Sequence, residues 1–259
     1  MQFRRPAENV SRPDNYILAN LPDAEYAHVA RSISRIAFPL GFQFSSPLNT
    51  PEYVYFPTSG VVSTTAVTEA GEVVEIGMTG NDGLIGINAL LCQPESMHSI
   101  MMQVAGEGCR VKVGVARDLL RQSGRFSELF YENLCLQMLQ MGQSALCNRL
   151  HEVKSRLARW LLTAADRNRS EKLGLTQEFL SQMLGSRRST VTVMAGELQR
   201  EGMIEYSRGK ILITNREDLE HVACECYGIV RSAYRRVLQG EQHQVRAHLI
   251  DARAHLTKA

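Results

Sequence analysis

The chain has 259 residues, 44% hydrophobic and 22% charged, with a formal net charge of +2. A chain of this length has room for two ordinary domains or one large one, and it buries most of its apolar surface without a disulfide or metal staple. No apolar run approaches the roughly 18–20 residues of a membrane span. The opening MQFRRPAENVSRPD has no apolar stretch after its arginines, so it does not read as a secretory signal. Six cysteines (Cys92, Cys109, Cys135, Cys147, Cys224, Cys226) are scattered among mostly apolar neighbours. This is the pattern of reduced buried thiols, and a cytoplasmic protein with no membrane partner is expected.

In chain order, Pro22–Ile33 predicts a helix opened by proline with acidic residues in its first turn. From Ala37 to about Val115 short apolar or alternating runs recur: 53–56, 60–67, 73–76, 100–104 and 109–113. Pro57, Gly60, Gly71, the 79–83 stretch and 106–108 fall between them. Short strands with glycine punctuation predict an antiparallel sandwich or barrel. After Val115 the pattern becomes helical. Phe130, Leu134, Met138, Met141 and Ala145 recur at helical spacing, and Leu136, Leu139, Leu146 and Leu150 broaden the stripe. Such a stripe needs a partner. A second copy of the helix in a coiled-coil-like seam through Leu134, Met138, Met141 and Ala145 is expected, with packing onto its own domain as the alternative.

Charge concentrates further on. Residues 1–150 carry a net −3, residues 151–217 a net +4 and residues 218–259 a net +1. The basic segment opens with an amphipathic helix, His151–Leu162, with arginines on its polar side. Next, Leu175–Leu184 predicts a helix capped by Thr176, with Phe179, Leu180, Met183 and Leu184 on one face. Gly185 supplies a turn in which a positive φ costs little. A second helix from Ser186 buries Val191, Met194, Ala195 and Leu198, leaving Arg187, Arg188, Ser189, Thr192 and Val193 at its outer start. A hairpin, 203–206 and 211–214, follows with the basic turn Ser207–Lys210. Helix, glycine turn, helix and two-stranded wing make a winged helix-turn-helix, whose second helix enters the DNA major groove. The tail from Asp218 to Tyr234 predicts one more helix, docked on the DNA-binding half. In it Cys224 and Cys226 read as a thiol switch, half a metal site or packed thiols, and packing is expected because on a helix they would point some 200° apart around the axis.

These residues and the glycine-punctuated β region together resemble the Crp/Fnr family of bacterial transcription regulators, from about Leu21 to about Leu219. The resemblance implies an α+β chain: a cyclic-nucleotide-binding-like β-roll (residues 15–124), a dimerisation helix (125–150), a winged helix-turn-helix (151–217) and a helical extension (218–259). It implies a homodimer on palindromic promoter DNA, with RNA polymerase as a further partner. Arg188 then matches the base-reading arginine. Thr176, Gln177 and Thr190 match phosphate contacts, and Arg187, Thr192 and Lys210 join the same surface. Ser189 and Val193 depart from the family's usual glutamate and arginine, so the half-site is expected to differ.

The implied effector pocket comprises Gly83, Leu84, Ile85, Ser99 and Ile100. Leu84 stands where nucleotide-binding members carry a glutamate, and Ser99 about where they carry an arginine. A buried phosphate without a cation costs several kcal/mol, so cAMP and cGMP are not expected to bind tightly. An apolar or non-phosphorylated ligand, or none, remains open. No clustered cysteines mark an iron–sulfur site, and His28, His98 and Cys92 carry no haem signature. No zinc-type spacing, P-loop, GxGxxG or nucleophile elbow is present, so neither a metal site nor an enzyme is expected; the carboxylates Glu72, Glu75 and Asp82 fit a β-roll surface. A ligand-binding β-roll whose helix-turn-helix serves protein interaction is the alternative function.

Overall fold

A computed structural model describes residues 12–45, 50–91, 98–122 and 124–239. Asn15 anchors the start. Its side-chain oxygen accepts from the Ile17 and Leu18 amides to open α1 (Tyr16–Ala19), and its amide nitrogen donates to the carbonyls of Pro57 and Gly83. The predicted helix is α2 (Asp23–Ala30), with Pro22 at its cap and Asp23 and Glu25 in its first turn.

Among the described residues seven strands follow: β1 (Ser34–Phe38), β2 (Gln43–Ser45), β3 (Tyr53–Pro57), β4 (Val61–Val67), β5 (Val73–Thr79), β6 (Ser99–Val104) and β7 (Gly106–Lys112). They pair antiparallel into two sheets, ordered β1-β7-β3 and β2-β6-β4-β5. The expected runs are all strands, while β1 and β2 add to them. In β1 only Phe38 is buried, so it has no apolar alternation to betray it. Gly60 (φ +81°) turns the chain into β4 where an added Cβ would run into the Val104 carbonyl oxygen. The short α3 (Ile87–Leu90) lies between β5 and β6.

Helix α4 (Val113–Arg121) leaves β7 one residue earlier than the strand pattern suggests. The long helix is α5 (Arg125–Leu150), opened by Glu25, whose carboxylate accepts from the amides of Arg125 (2.9 Å) and Phe126 (2.8 Å). An anion at a helix N-terminus satisfies its free donors and its dipole together. The broad apolar stripe of α5 divides three ways. Phe126, Leu129 and Phe130 fill the β-roll core, Leu136 packs elsewhere in the chain, and Tyr131, Met138, Leu139 and Leu146 are exposed.

Helix α6 (Val153–Asn168) departs from the sequence expectation. All ten residues from Arg156 to Ala165 are buried, Arg156 and Arg159 included. Its arginine side does not face solvent, because strands β4 and β5 of the roll pack against it. One apolar cluster joins Val61 and Met78 of the roll to Leu157, Trp160, Leu161, Leu180 and Val191. At the far end of α6, Arg167 pairs with Asp82 of the roll (3.0 Å) and lies 4.0 Å above the Tyr234 ring.

The remaining elements are β8 (Lys172–Gly174), α7 (Gln177–Met183), α8 (Arg188–Arg200), β9 (Ile204–Ser207), β10 (Lys210–Ile213), α9 (Arg216–Val222) and α10 (Cys226–Leu238). The hairpin β9–β10 gains a third strand, β8, in the order β8-β10-β9. The single tail helix is corrected to two, since Ala223 takes an extended conformation (ψ 147°) after α9. Helix α10 docks chiefly on α5, where Leu136 meets Val230, Ala233 and Tyr234 and Gln140 shares a 2.9 Å hydrogen bond with Tyr234. The sequence expectation of docking on the helix-turn-helix half holds for α9, whose Leu219 and Val222 join its core, and is corrected for α10. The amphipathic face of α10 finds the apolar Leu136 side of α5. The chain from Gly240 onward lies outside the described residues.

Glu75, expected on the roll surface, is instead buried where β5 meets the second half. It accepts from the Ser63 hydroxyl (2.7 Å) and the Gln103 amide (2.8 Å). Burial pushes its carboxyl up to about 7, against the pull of those hydrogen bonds. A carboxyl raised on folding stabilises the fold below its unfolded value and loses that contribution as pH climbs toward 7. Replacing it, Glu75→Gln, should flatten the fall in stability between about pH 4.5 and 7, on the order of 2–3 kcal/mol. Urea titrations across that range check this.

Candidate nucleic-acid interface

The turn between α7 and α8 is set by Gly185 (φ +53°), as the sequence anticipates, and an added Cβ would lie 3.1 Å from Val74 on the β4–β5 hairpin. Helix α7 is capped by Thr176, whose hydroxyl oxygen accepts from the Phe179 amide (3.2 Å). Val191, Ala195 and Leu198 hold α8 against the domain core. Their burial leaves the opposite face outward: Arg187, Arg188, Ser189, Thr192 and Val193 are exposed and Thr190 is half-buried. Val193 is 55% exposed.

Arg188 rests 3.3 Å from Glu178, both side chains being solvated. Such a pair is worth at most about 1 kcal/mol and gives way readily to a stronger acceptor. The Thr192 hydroxyl bonds Gln177 Oε1 and the Arg188 carbonyl, both at 2.9 Å, so Gln177 and Thr192 bridge the two helices. In the wing, Arg208 (φ +49°) and Gly209 (φ +73°) both take the left-handed conformation, the signature of a two-residue hairpin turn. This turn presents Arg208 and Lys210, and Lys172 of β8 is exposed beside them. Arg208 and Lys172 extend the basic surface beyond the residues singled out from sequence. The turn type shows Arg208; Lys172 needed the third strand.

In the roll, a cavity of about 50 Å³ lies among Phe44, Tyr53, Tyr55, Ile85, Ile100 and Met141. Leu84, Ile85 and Ile100 line it as expected, but Gly83 and Ser99 are not among its lining residues. Gly83 is pressed against Asn133 of α5, and the Ser99 hydroxyl bonds Gln43 (3.4 Å). His98, expected on a surface loop, lines the cavity and is half-buried; among the described lining residues there is no Arg, Lys, Asp or Glu. Gln137 and Met141 of α5 also reach it, and the Gln137 amide donates to the Leu84 carbonyl (3.3 Å). Met141, expected at a dimer seam, thus faces the roll, and Leu134 packs against the roll core; Met138 and Ala145 remain exposed. Of the haem candidates, His28 is exposed and Cys92 lies outside the described residues.

The spacing of the cysteines concealed a further cluster. Cys147 and His151 at the end of α5 meet Cys224 and Cys226 of the α9–α10 link, with one donor atom of each within 4.8 Å of the others. The expectation that Cys224 and Cys226 diverge fails because only Cys226 belongs to a helix. The hydrogen bond between Cys147 and Cys224 (3.5 Å) holds the Cys147 thiol below its ordinary value.

Residues 155–222 match the Crp-like helix-turn-helix domain. Global nitrogen regulators are similar in sequence: that of Nostoc is 25% identical over 74% of this chain and 93% of its own. That of Synechocystis is 26% identical over 65% and 79%. Solved Crp/Fnr-family regulators share the fold. That of Eubacterium rectale (TM-score 0.62, 16% identity) covers 78% of this chain and 95% of its own, and one from Thermus thermophilus (TM-score 0.60, 22% identity) covers 73% and 98%. The chain has the Crp/Fnr fold, and its residues 155–222 form a Crp-like helix-turn-helix domain. These relatives are regulators, and none of them is named as an enzyme. In this Crp/Fnr arrangement Gly185 is held between two demands, a left-handed turn and the nearby Val74. Gly185→Ala should cost about 1–2 kcal/mol from the turn conformation alone. A thermal melt of the variant checks this.

Proposed function

We propose that the protein acts as a homodimer on palindromic promoter DNA and regulates transcription there. The observation that carries this reading is the outward start of α8, with Arg187, Arg188, Ser189 and Val193 exposed beside the basic wing tip. Arg188 offers both donors to guanine O6 and N7, and Val193 offers a methyl-sized apolar contact to thymine. Arg187, Thr176, Thr190, Lys172, Arg208 and Lys210 face the phosphates, which fix register without reading sequence. Gln177 orients Thr192 across the helix pair. RNA polymerase is the partner that promoter placement brings alongside, and reduced buried thiols agree with a cytoplasmic protein.

The dimer seam is the exposed apolar line of α5, with Met138, Ala145 and Leu146 at its centre and Gly142 permitting close approach. The sensor cavity does not take a cyclic nucleotide. Its volume falls far below the roughly 300–1,000 Å³ of usual ligand sites, and its described lining offers a phosphate no lysine or arginine. Calorimetry with cAMP and cGMP should show no binding in the micromolar range.

Selection of sites from random duplex DNA with purified protein should enrich a palindrome with half-sites about one helical turn apart. Non-specific retention alone at every salt concentration would defeat the reading. At the selected site, Arg188→Ala should cost about 1–3 kcal/mol and relax preference at one base pair. By contrast Lys210→Ala should weaken binding to all sequences and reduce its salt dependence. Met138→Glu should give monomers in sedimentation and lose tight operator binding, with the far-ultraviolet dichroism unchanged.

A further inference from the structure

The four side chains Cys147, His151, Cys224 and Cys226 have no part in reading DNA, yet they form the most concentrated ligand set among the described residues. Two come from the last turn and cap of α5, one from the break after α9 and one from the first residue of α10. Cys147 Sγ lies 3.5 Å from Cys224 Sγ, and Cys226 Sγ lies 3.4 Å from His151 Nδ1. A single tetrahedral ion with metal–sulfur bonds of about 2.3 Å separates its thiolates by about 3.7 Å, close to what is seen. An iron–sulfur cluster interposes iron and sulfide between its thiolates and spreads them further.

The surroundings fit an ion as well as the ligands do. With His151 Nδ1 turned toward the sulfurs, its Nε2 lies 3.1 Å from the Glu225 carboxylate. That is the carboxylate–histidine pairing which fixes tautomer and ring orientation in metal sites. The Gln143 amide donates to Cys226 Sγ (3.1 Å), and the buried Arg159 acts by charge on both Cys147 and Cys224. Three thiolates and a neutral imidazole around a divalent ion leave one negative charge, which the arginine offsets. A disulfide between Cys147 and Cys224 would use two of the four groups and leave the His151–Glu225 pair and Cys226 without a purpose.

We propose that Cys147, His151, Cys224 and Cys226 form a mononuclear zinc-type metal site that clips the C-terminal extension to the end of the long helix. Its position gives it a consequence. His151 and Glu152 are the two extended residues between α5 and α6, so the clip fixes the joint on which the helix-turn-helix is carried. Metal loading then sets the angle at which the two recognition helices of a dimer are presented. That second step rests on the DNA reading above; the metal site itself does not.

The test is Co²⁺ titration of reduced, chelator-stripped full-length protein under anaerobic conditions, followed by Zn²⁺ displacement. One equivalent per chain should give the intense visible ligand-field bands of a tetrahedral site and near-ultraviolet thiolate charge transfer, and Zn²⁺ should bleach both. Cys224→Ser with Cys226→Ser should abolish the spectrum, while Cys109→Ala, buried in the roll, should keep it. Glu225→Gln should retain the bands and weaken affinity about 10–100-fold. Because the wild-type spectrum decides the matter, a variant that fails to fold does not shield the proposal. Absence of tetrahedral bands in the wild type would overturn it, as would equal binding by the double cysteine variant. So would an iron–sulfur chromophore in anaerobically purified protein, or a Cys147–Cys224 disulfide whose reduction yields no metal uptake. If the bands appear but chelation leaves operator affinity unchanged, the site stands and its control of the joint is refuted.

Discussion

The structure hangs on α6, which is buried from Arg156 to Ala165 without a break. A helix buried on every side belongs to two cores at once. One flank closes the helix-turn-helix through Leu157, Leu161 and Val191, and another lies against β4 and β5 of the roll. Several polar groups caught in that seam find partners across it. Arg156 bonds the Leu184 carbonyl and Asn148, Glu75 takes the Ser63 and Gln103 donors, and Arg167 meets Asp82. Each of these lies where the roll or the long helix meets the DNA-binding half, so the two halves share much of their stability.

That shared interface joins the roll cavity to the helix-turn-helix through packed elements. The roll cavity is lined by Gln137 and Met141 of α5. From there α5 runs to the joint at His151, and the β4–β5 hairpin reaches the helix-turn-helix turn, where Val74 lies against Gly185. A ligand that displaced the aromatic side chains around the cavity would press on the same helix that carries the exposed apolar line of Met138, Leu139 and Leu146. Glu75 adds a proton-sensitive element inside the seam, since its carboxyl titrates near neutrality. The roll and the helix-turn-helix are therefore joined through packed elements.

Much of the helix-turn-helix was legible because its signals are local. Thr176 before an apolar face, Gly185 at a turn, Val191, Ala195 and Leu198 at helical spacing, and a basic two-residue hairpin each act within a few residues. The strands of the roll were legible for the same reason wherever alternation was strong. β1 escaped because only its last residue is buried, and β8 because three residues carry no period. The arginines of α6 misled for a definite reason. Periodicity separates apolar from polar faces, but it does not say that a polar face meets solvent.

The sequence by itself determined the local grammar of this protein: its capped helices, its glycine turns, and the face of α8 that carries Arg187, Arg188 and Ser189. Local conformational preference and burial periodicity act over one or two turns of chain, and the sequence records them directly. Only the tertiary structure decided which faces became partners. It divided the α5 stripe between the roll, α10 and an exposed line, and it drew Glu75 and Arg159 into a seam. It also brought Cys147 and His151 beside Cys224 and Cys226 across more than seventy residues. Such meetings follow from how whole elements pack, and no spacing along the chain encodes them.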